Sequence, residues 1–242
     1  MNSLHMAPYV LHGSASYAID RNYNPSYTVK LMDRVSIKER GVLRLYTWWR
    51  RFRTLPVIEF PDALNRTERL LICLPADPEE AREAADVIPE LIRCLQAESA
   101  IVLGEQSATT SCALSEEGLQ VITIGDTDRR WTGSPSSDLI DRVVGSGLNV
   151  AVDLSLQMDL LTSALCLQSK APARFCFCGP YRALFFNIQI VLSDQTDPLN
   201  SEIDPINQAD LLIPSLSNSP YVRLLHIVQR MTGHAPSPQE ST

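Results

Sequence analysis

Four short stretches of this 242-residue chain carry side chains whose types and spacing could do chemistry. Asp77 stands in the run Pro75-Ala76-Asp77-Pro78-Glu79-Glu80. A carboxylate there could take a proton from an acceptor hydroxyl within hydrogen-bond reach. The same Asp77 before Pro78, with Glu80 three residues on, is also the signature of a helix N-cap. The loop 125–135, GDTDRRWTGSP, holds Arg129, Arg130 and Trp131. Guanidinium groups can fork onto a phosphate or carboxylate while an indole stacks on a ring, or all three can stand as solvated surface groups. Arg182, in Gly179-Pro180-Tyr181-Arg182, is a further candidate for anion contact. Finally Trp48 and Trp49 stand beside Arg50, Arg51 and Arg53. Indoles at headgroup level with Arg on anionic lipid would make an interfacial anchor, each basic residue contributing on the order of 1 kcal/mol. A helix that merely packs on the domain, with solvated arginines, is the other reading.

The elements that must position these residues are organised around 149–178. Residues 149–154 and 173–178 read as buried strands. Between them Leu156, Leu160, Leu161, Ala164, Leu165 and Gln168 recur at three- and four-residue spacing, which predicts a helix laying one face on a sheet. Strand, helix, strand joined by a right-handed crossover predicts a doubly wound, mostly parallel α/β sheet with flanking helices. Further strands are predicted at 69–74, 100–104 and 119–124, and a looser one at 185–192. Asp77 caps a helix lined by Ala81, Ala84, Ala85, Ile88, Leu91, Ile92 and Leu95, which Pro89 should kink or divide. Ser136 or Ser137 opens a helix through Val144. Ser219 caps a last helix, with Val222, Leu225, Val228 and Met231 on its buried face and Gly233 ending it. In an open α/β sheet ligands bind outside the carboxyl ends of the strands, and the loops holding Asp77, Arg129 and Arg182 all leave such ends.

The predicted organisation is a tail over 1–27, a basic amphipathic helix over 28–55, a linker over 56–68, one Rossmann-like domain over 69–234 and a tail over 235–242. Hydrophobic residues make up 45% of the chain, enough for a full core in one domain. The formal charge of -7 argues against a general nucleic-acid binder. That charge is uneven: residues 26–55 carry a net +6 and the remainder -13, an acidic globule with a basic arm. Cys73, Cys94, Cys166, Cys176 and Cys178 sit in apolar patterns where thiols act as small hydrophobes, which fits a reducing cytoplasm. The Cys176-x-Cys178 pair would share a strand face, yet no further ligand spacing completes a metal site, so neither metal nor cofactor is expected. No stretch approaches the roughly 20 apolar residues of a membrane span, and the amino terminus lacks a signal peptide's apolar core.

Read in order, RLLICL, a helix ending near PELIRCL, AIVLG, NVAVDLS with its leucine-rich helix, SKAPARF and SPYVRLLHIVQRMTG resemble the amino-terminal, acceptor-side half of family 9 glycosyltransferases. These are the heptosyltransferase-like enzymes of lipopolysaccharide synthesis. The strongest likeness is local: the family phrase D-x-x-I-D-L, a helix, a small-residue G-A and an R-x-G strand fall on 149–154, Ala171 and 174–177. The resemblance implies a Rossmann-like sheet, closed by a helix that Tyr221, Leu224 and Leu225 occupy here. In the family that helix leads to a second domain holding the sugar nucleotide, whereas this sequence ends at Thr242. It also implies a catalytic base in the first loop, in a Gly-Asp pair; here Asp77 has no glycine beside it. The expectation is a divergent, non-catalytic half of such an enzyme, binding a glycan acceptor, a protein partner or an anionic lipid surface in cell-envelope polysaccharide metabolism. Its place would be cytoplasmic, peripheral at the inner face of the membrane if the arm is an anchor. The alternative is a glycosyltransferase subunit whose donor domain comes in trans.

Overall fold

In the computed structural model the described residues are 37–50, 64, 67–112, 118–144, 147–190 and 219–233. All but Ile37 belong to the compact unit Lys38–Thr242. Six strands form one all-parallel sheet: β1 (Arg69–Cys73), β2 (Ser99–Glu105), β3 (Leu119–Ile124), β4 (Val150–Asp153), β5 (Ala173–Phe177) and β6 (Ile188–Ile190). Their spatial order is β3-β2-β1-β4-β5-β6. That is the doubly wound order whose direction of winding reverses between β1 and β4. Leu70 to Cys73 pair with Val150 to Asp153 across this reversal. The central strands are apolar on both faces, as a parallel sheet covered on both sides demands. Leu70, Leu71, Ile72 and Cys73 are all buried, as are Val150, Ala151, Val152 and Asp153.

Alternation along the strands divides two cores. One face presents Leu70, Ile72, Leu74, Val102, Val152, Phe175 and Phe177 to α2 (Pro78–Asp86), α3 (Ile88–Cys94) and α7 (Pro220–Thr232). The other presents Leu71, Cys73, Ala151, Asp153 and Cys176 towards α6 (Leu160–Gln168), whose Cys166 Sγ lies 3.8 Å from Cys73 Sγ. Helix α1 (Ile37–Arg50) reaches this side through Tyr46, whose ring lies 4.9 Å from that of Phe185. A short α4 (Gln106–Ser111) follows β2, and α5 (Ser137–Val144) precedes β4. Among the described residues no helix is long and apolar enough to cross a membrane.

The strands predicted at 69–74, 100–104, 119–124, 149–154 and 173–178 are found within two residues of their expected ends. Other details differ. The predicted strand 185–192 is only Ile188–Ile190 over its described part. Phe185 and Phe186 instead close a one-turn helix at Arg182–Leu184 and are 1% exposed, plugging the core from a turn. Helix α6 begins at Leu160, so Leu156 lies before it. Seven consecutive residues, Leu160 to Cys166, are buried, so α6 is covered on all sides instead of laying one face on the sheet. The helix after Asp77 does divide, at Val87 between α2 and α3, because Pro89 has no N–H to continue the ladder. On α7 the buried face is Tyr221, Leu224, Leu225, Val228, Gln229 and Thr232, with Val222 and Met231 only partly covered. Gly233 ends that helix at φ 76°, a left-handed cap that glycine adopts without cost.

Candidate functional site

The carboxyl edge of the sheet gathers the loops after β1, β2, β3, β4 and β5, and its centre is the reversal between β1 and β4. After β1 the chain passes through Leu74 and Pro75 to Asp77, which takes extended geometry and caps α2. Asp77 Oδ1 accepts the backbone N–H of Glu79 at 2.9 Å and of Glu80 at 3.1 Å. In a dinucleotide-binding sheet these are the amides that would receive pyrophosphate. Here a carboxylate fills them, and Glu79 and Glu80 add negative charge in the same turn. Burial, together with Asp77 and Glu83, pushes the Glu80 carboxyl above its usual range.

Beneath the other half of the edge lies a buried polar cluster. Asp153 ends β4 with 0% exposure, and Arg182 from the turn after β5 is 1% exposed. Arg182 Nη2 donates to Ser155 O at 2.6 Å and Nη1 stands 3.5 Å from Asp153 Oδ2. Asp153 Oδ1 accepts Ser155 N–H at 3.0 Å, and the Thr162 hydroxyl lies 3.5 Å from Oδ2. Burial pushes the Asp153 carboxyl up, while the Arg182 charge and the Ser155 bonds pull it down without cancelling the effect. Tyr181 beside it holds φ 63°, a left-handed conformation that a bulky residue seldom adopts. This strained turn folds Arg182 inward, so the guanidinium serves the β4–α6 connection instead of facing solvent.

The open part of the edge lies over β2 and β3. A cleft of about 400 Å³ is lined by Glu105, Gln106, Ser107, Ile124, Gly125, Asp126, Arg129 and Arg130. Its wall is more ordered than an exposed loop. Asp126–Asp128 forms one helical turn, Asp128 Oδ2 accepts Gly125 N–H at 2.9 Å, and Asp128 Oδ1 pairs with Arg142 of α5 at 2.5 Å. An antiparallel bridge joins Arg129 to Pro135. Arg129 grips Asp159 with both terminal nitrogens, at 2.8 and 3.3 Å, and reaches Glu105 Oε1 at 3.3 Å. Partial burial works against its charge, but Asp159, Glu105 and Glu39 outweigh that and raise its already high pKa. Asp159 also accepts Leu161 N–H, so this ion pair fixes the start of α6.

The residues singled out in the sequence therefore fall in separate places. Arg129 and Arg130 share the cleft, and Trp131 next to them is 79% exposed. Asp77 is exposed at the head of α2 and does not line this cleft. Arg182 is enclosed under the reversal. Trp48 is 61% and Leu45 66% exposed on α1, forming with Val42 and Tyr46 an apolar surface. Trp49 and Arg50 belong to the same helix; Arg51 and Arg53 lie outside the described residues. Cys176 is buried and Cys178 exposed, since β5 ends at Phe177 and the alternation stops there. Among the described residues no three His, Cys, Asp or Glu side chains converge as a metal site. Sequence reasoning missed Glu105, Asp126, Asp153 and Asp159. Glu105, Asp126 and Asp153 are acids within two residues of the carboxyl end of a strand, and Asp159 stands at the N-cap of α6, which are the signals that could have found them. No known protein family, curated protein or solved structure matches this chain.

Proposed function

We propose that this chain is a divergent, non-catalytic heptosyltransferase-like domain that holds a carbohydrate, as an acceptor-side module of cell-envelope polysaccharide metabolism, at the carboxyl edge of its sheet. The observation that carries this reading is the state of Asp77. At the place where the resemblance puts the base, one carboxylate oxygen is committed to capping α2 at 2.9 and 3.1 Å, and the following turn is acidic. A negatively charged first turn repels the phosphates of a sugar nucleotide, and a capping carboxylate is held towards its own helix rather than towards a substrate hydroxyl. What remains is a cleft with both acceptors and donors, suited to a ligand rich in hydroxyl groups. The exposed Leu45 and Trp48 on α1, next to the basic run, support peripheral association of the domain with an anionic membrane face.

The test uses the purified full chain. Calorimetry against lipopolysaccharide core oligosaccharide should give saturable binding, while incubation with that acceptor and a nucleotide-activated heptose should give no transfer. Transfer by the chain alone that disappears in Asp77→Asn overturns the non-catalytic reading. Transfer that appears only with a second polypeptide supplying the donor half replaces it with the split-enzyme reading. Sedimentation with anionic but not neutral vesicles, reversed as salt shortens the Debye length from about 10 Å at 0.1 M to about 3 Å at 1 M, tests the membrane arm.

A further inference from the structure

We infer that the cleft over β2 and β3 is a vicinal-diol site, in which the Glu105 carboxylate accepts two neighbouring hydroxyls of an uncharged ring, a pyranose or the ribose of a nucleoside. This rests on the reading that the cleft holds a polyhydroxylated ligand and adds the group that recognises it. Glu105 is the last residue of β2, one strand away from the reversal. In doubly wound sheets of this order an acidic residue of this region takes the sugar hydroxyls of a bound nucleoside. Its side chain is 43% exposed, and its one polar contact among the described residues is the 3.3 Å approach of Arg129, which is itself held chiefly by Asp159. A carboxylate has about four acceptor positions, so two hydroxyls can still be received.

The rest of the lining agrees with a neutral ligand. Glu105 and Asp126 balance Arg129 and Arg130, so the cleft selects by hydrogen-bond geometry more than by net charge. Asp126 and Arg130 have no ion-pair partner among the described residues, which leaves one acceptor and one donor facing further polar groups. Ile124 supplies the apolar contact against which a ring can lie. A phosphorylated nucleoside is disfavoured because Asp77 already occupies the amides that would bind its phosphate.

The experiment titrates the full chain by calorimetry and ligand-observed NMR with four probes: methyl mannoside, its 2-deoxy analogue, adenosine and 2′-deoxyadenosine. At least one diol should bind, and removing its hydroxyl should weaken it by about tenfold to a hundredfold, the worth of a hydrogen bond to a charged acceptor. Glu105→Gln, which keeps the shape of the side chain, should weaken the diol to a similar degree and erase the difference between each probe and its deoxy form. Diol-dependent binding of adenosine but not of mannoside supports this inference and counts against the carbohydrate reading. Mannoside binding indifferent to both the 2-hydroxyl and Glu105 overturns the inference and leaves the carbohydrate reading standing. Binding of none of the four also overturns it.

Discussion

Two carboxylates at strand ends do opposite things, and their substitution separates capping from charge pairing. Asp77 is exposed, and among the described residues its carboxylate bonds to the first turn of α2 alone. Asp77→Asn keeps an acceptor at that position and should leave stability nearly unchanged, whereas Asp77→Ala should cost about 0.5–2 kcal/mol in urea unfolding. Asp153 is buried against Arg182, and here the two partners are not equivalent. Arginine cannot shed its proton, so Asp153→Asn strands a buried cation and should cost about 3–5 kcal/mol. Arg182→Met leaves a carboxyl whose pKa burial already raises, and it can survive by protonating. That variant should lose less, and its loss should grow with pH. Its native state would hold a proton that the unfolded chain releases near pH 4, so stability falls as pH rises above that value. Equal losses in the two variants, or no pH dependence in Arg182→Met, would contradict this account. Of this cluster only Arg182 was legible, as a candidate for anion contact; its partner was not, because one Asp closing an apolar strand looks the same whether it faces water or an arginine 29 residues further on.

At the scale of elements, legibility followed periodicity. Strands β1, β2, β4 and β5 announce themselves as apolar runs bounded by polar residues, and α2 by its cap and its alanines. Helix α6 lies where the leucine spacing predicts it, but one apolar face does not describe it, because Leu160 to Cys166 also contain the polar Thr162 and Ser163. They are buried, Thr162 bonding to the Asp159 carbonyl at 3.4 Å. Helix α1 illustrates the opposite case, a charged helix with an identifiable docking side. Leu43 is 2% exposed, and the Tyr46 ring packs at a tilt of 58° against that of Phe185, 4.9 Å away. Trp48 and Leu45 point away. Tyr46→Ala should therefore lower stability by about 1–3 kcal/mol, while Trp48→Ala should change it by less than about 1 kcal/mol and act on vesicle binding instead. Chemical unfolding of both variants beside vesicle sedimentation measures the two effects independently; a larger stability loss for Trp48→Ala than for Tyr46→Ala would reverse the orientation argued here.

For the whole molecule, the buried thiols link the sheet to alkaline stability. Cys73, Asp153 and Cys176 occupy one row across β1, β4 and β5. Burial pushes the Cys176 thiol up to about 12, and the contact with Cys166 raises Cys73 as well. A free thiol ionises at about 8.5, so the unfolded chain releases these protons first and native stability should decline from about pH 9 upward. Cys176→Ala should flatten that decline in thermal melts, and native alkylation should modify the exposed Cys178 before Cys176. The fold class was readable from the sequence because a parallel sheet needs continuous apolar strands. Of the cleft only the loop holding Arg129 and Arg130 was readable, because the opposite wall, Glu105 at the end of β2 with Gln106 and Ser107 at the head of α4, lies about 20 residues earlier and no local pattern connects the two. The strand order also dictates a timetable. The amide of Arg69 meets Asn149 across 80 residues of chain, while β2 lies only 30 residues from β1. At a synthesis rate of roughly 5–20 residues per second, β1 emerges on the ribosome several seconds before β4 exists, with one apolar edge unpaired. The central strand of the finished sheet is thus its most vulnerable edge during biosynthesis, and a pulse of translational pausing between residues 110 and 150 should increase misassembly more than a pause anywhere after Phe177.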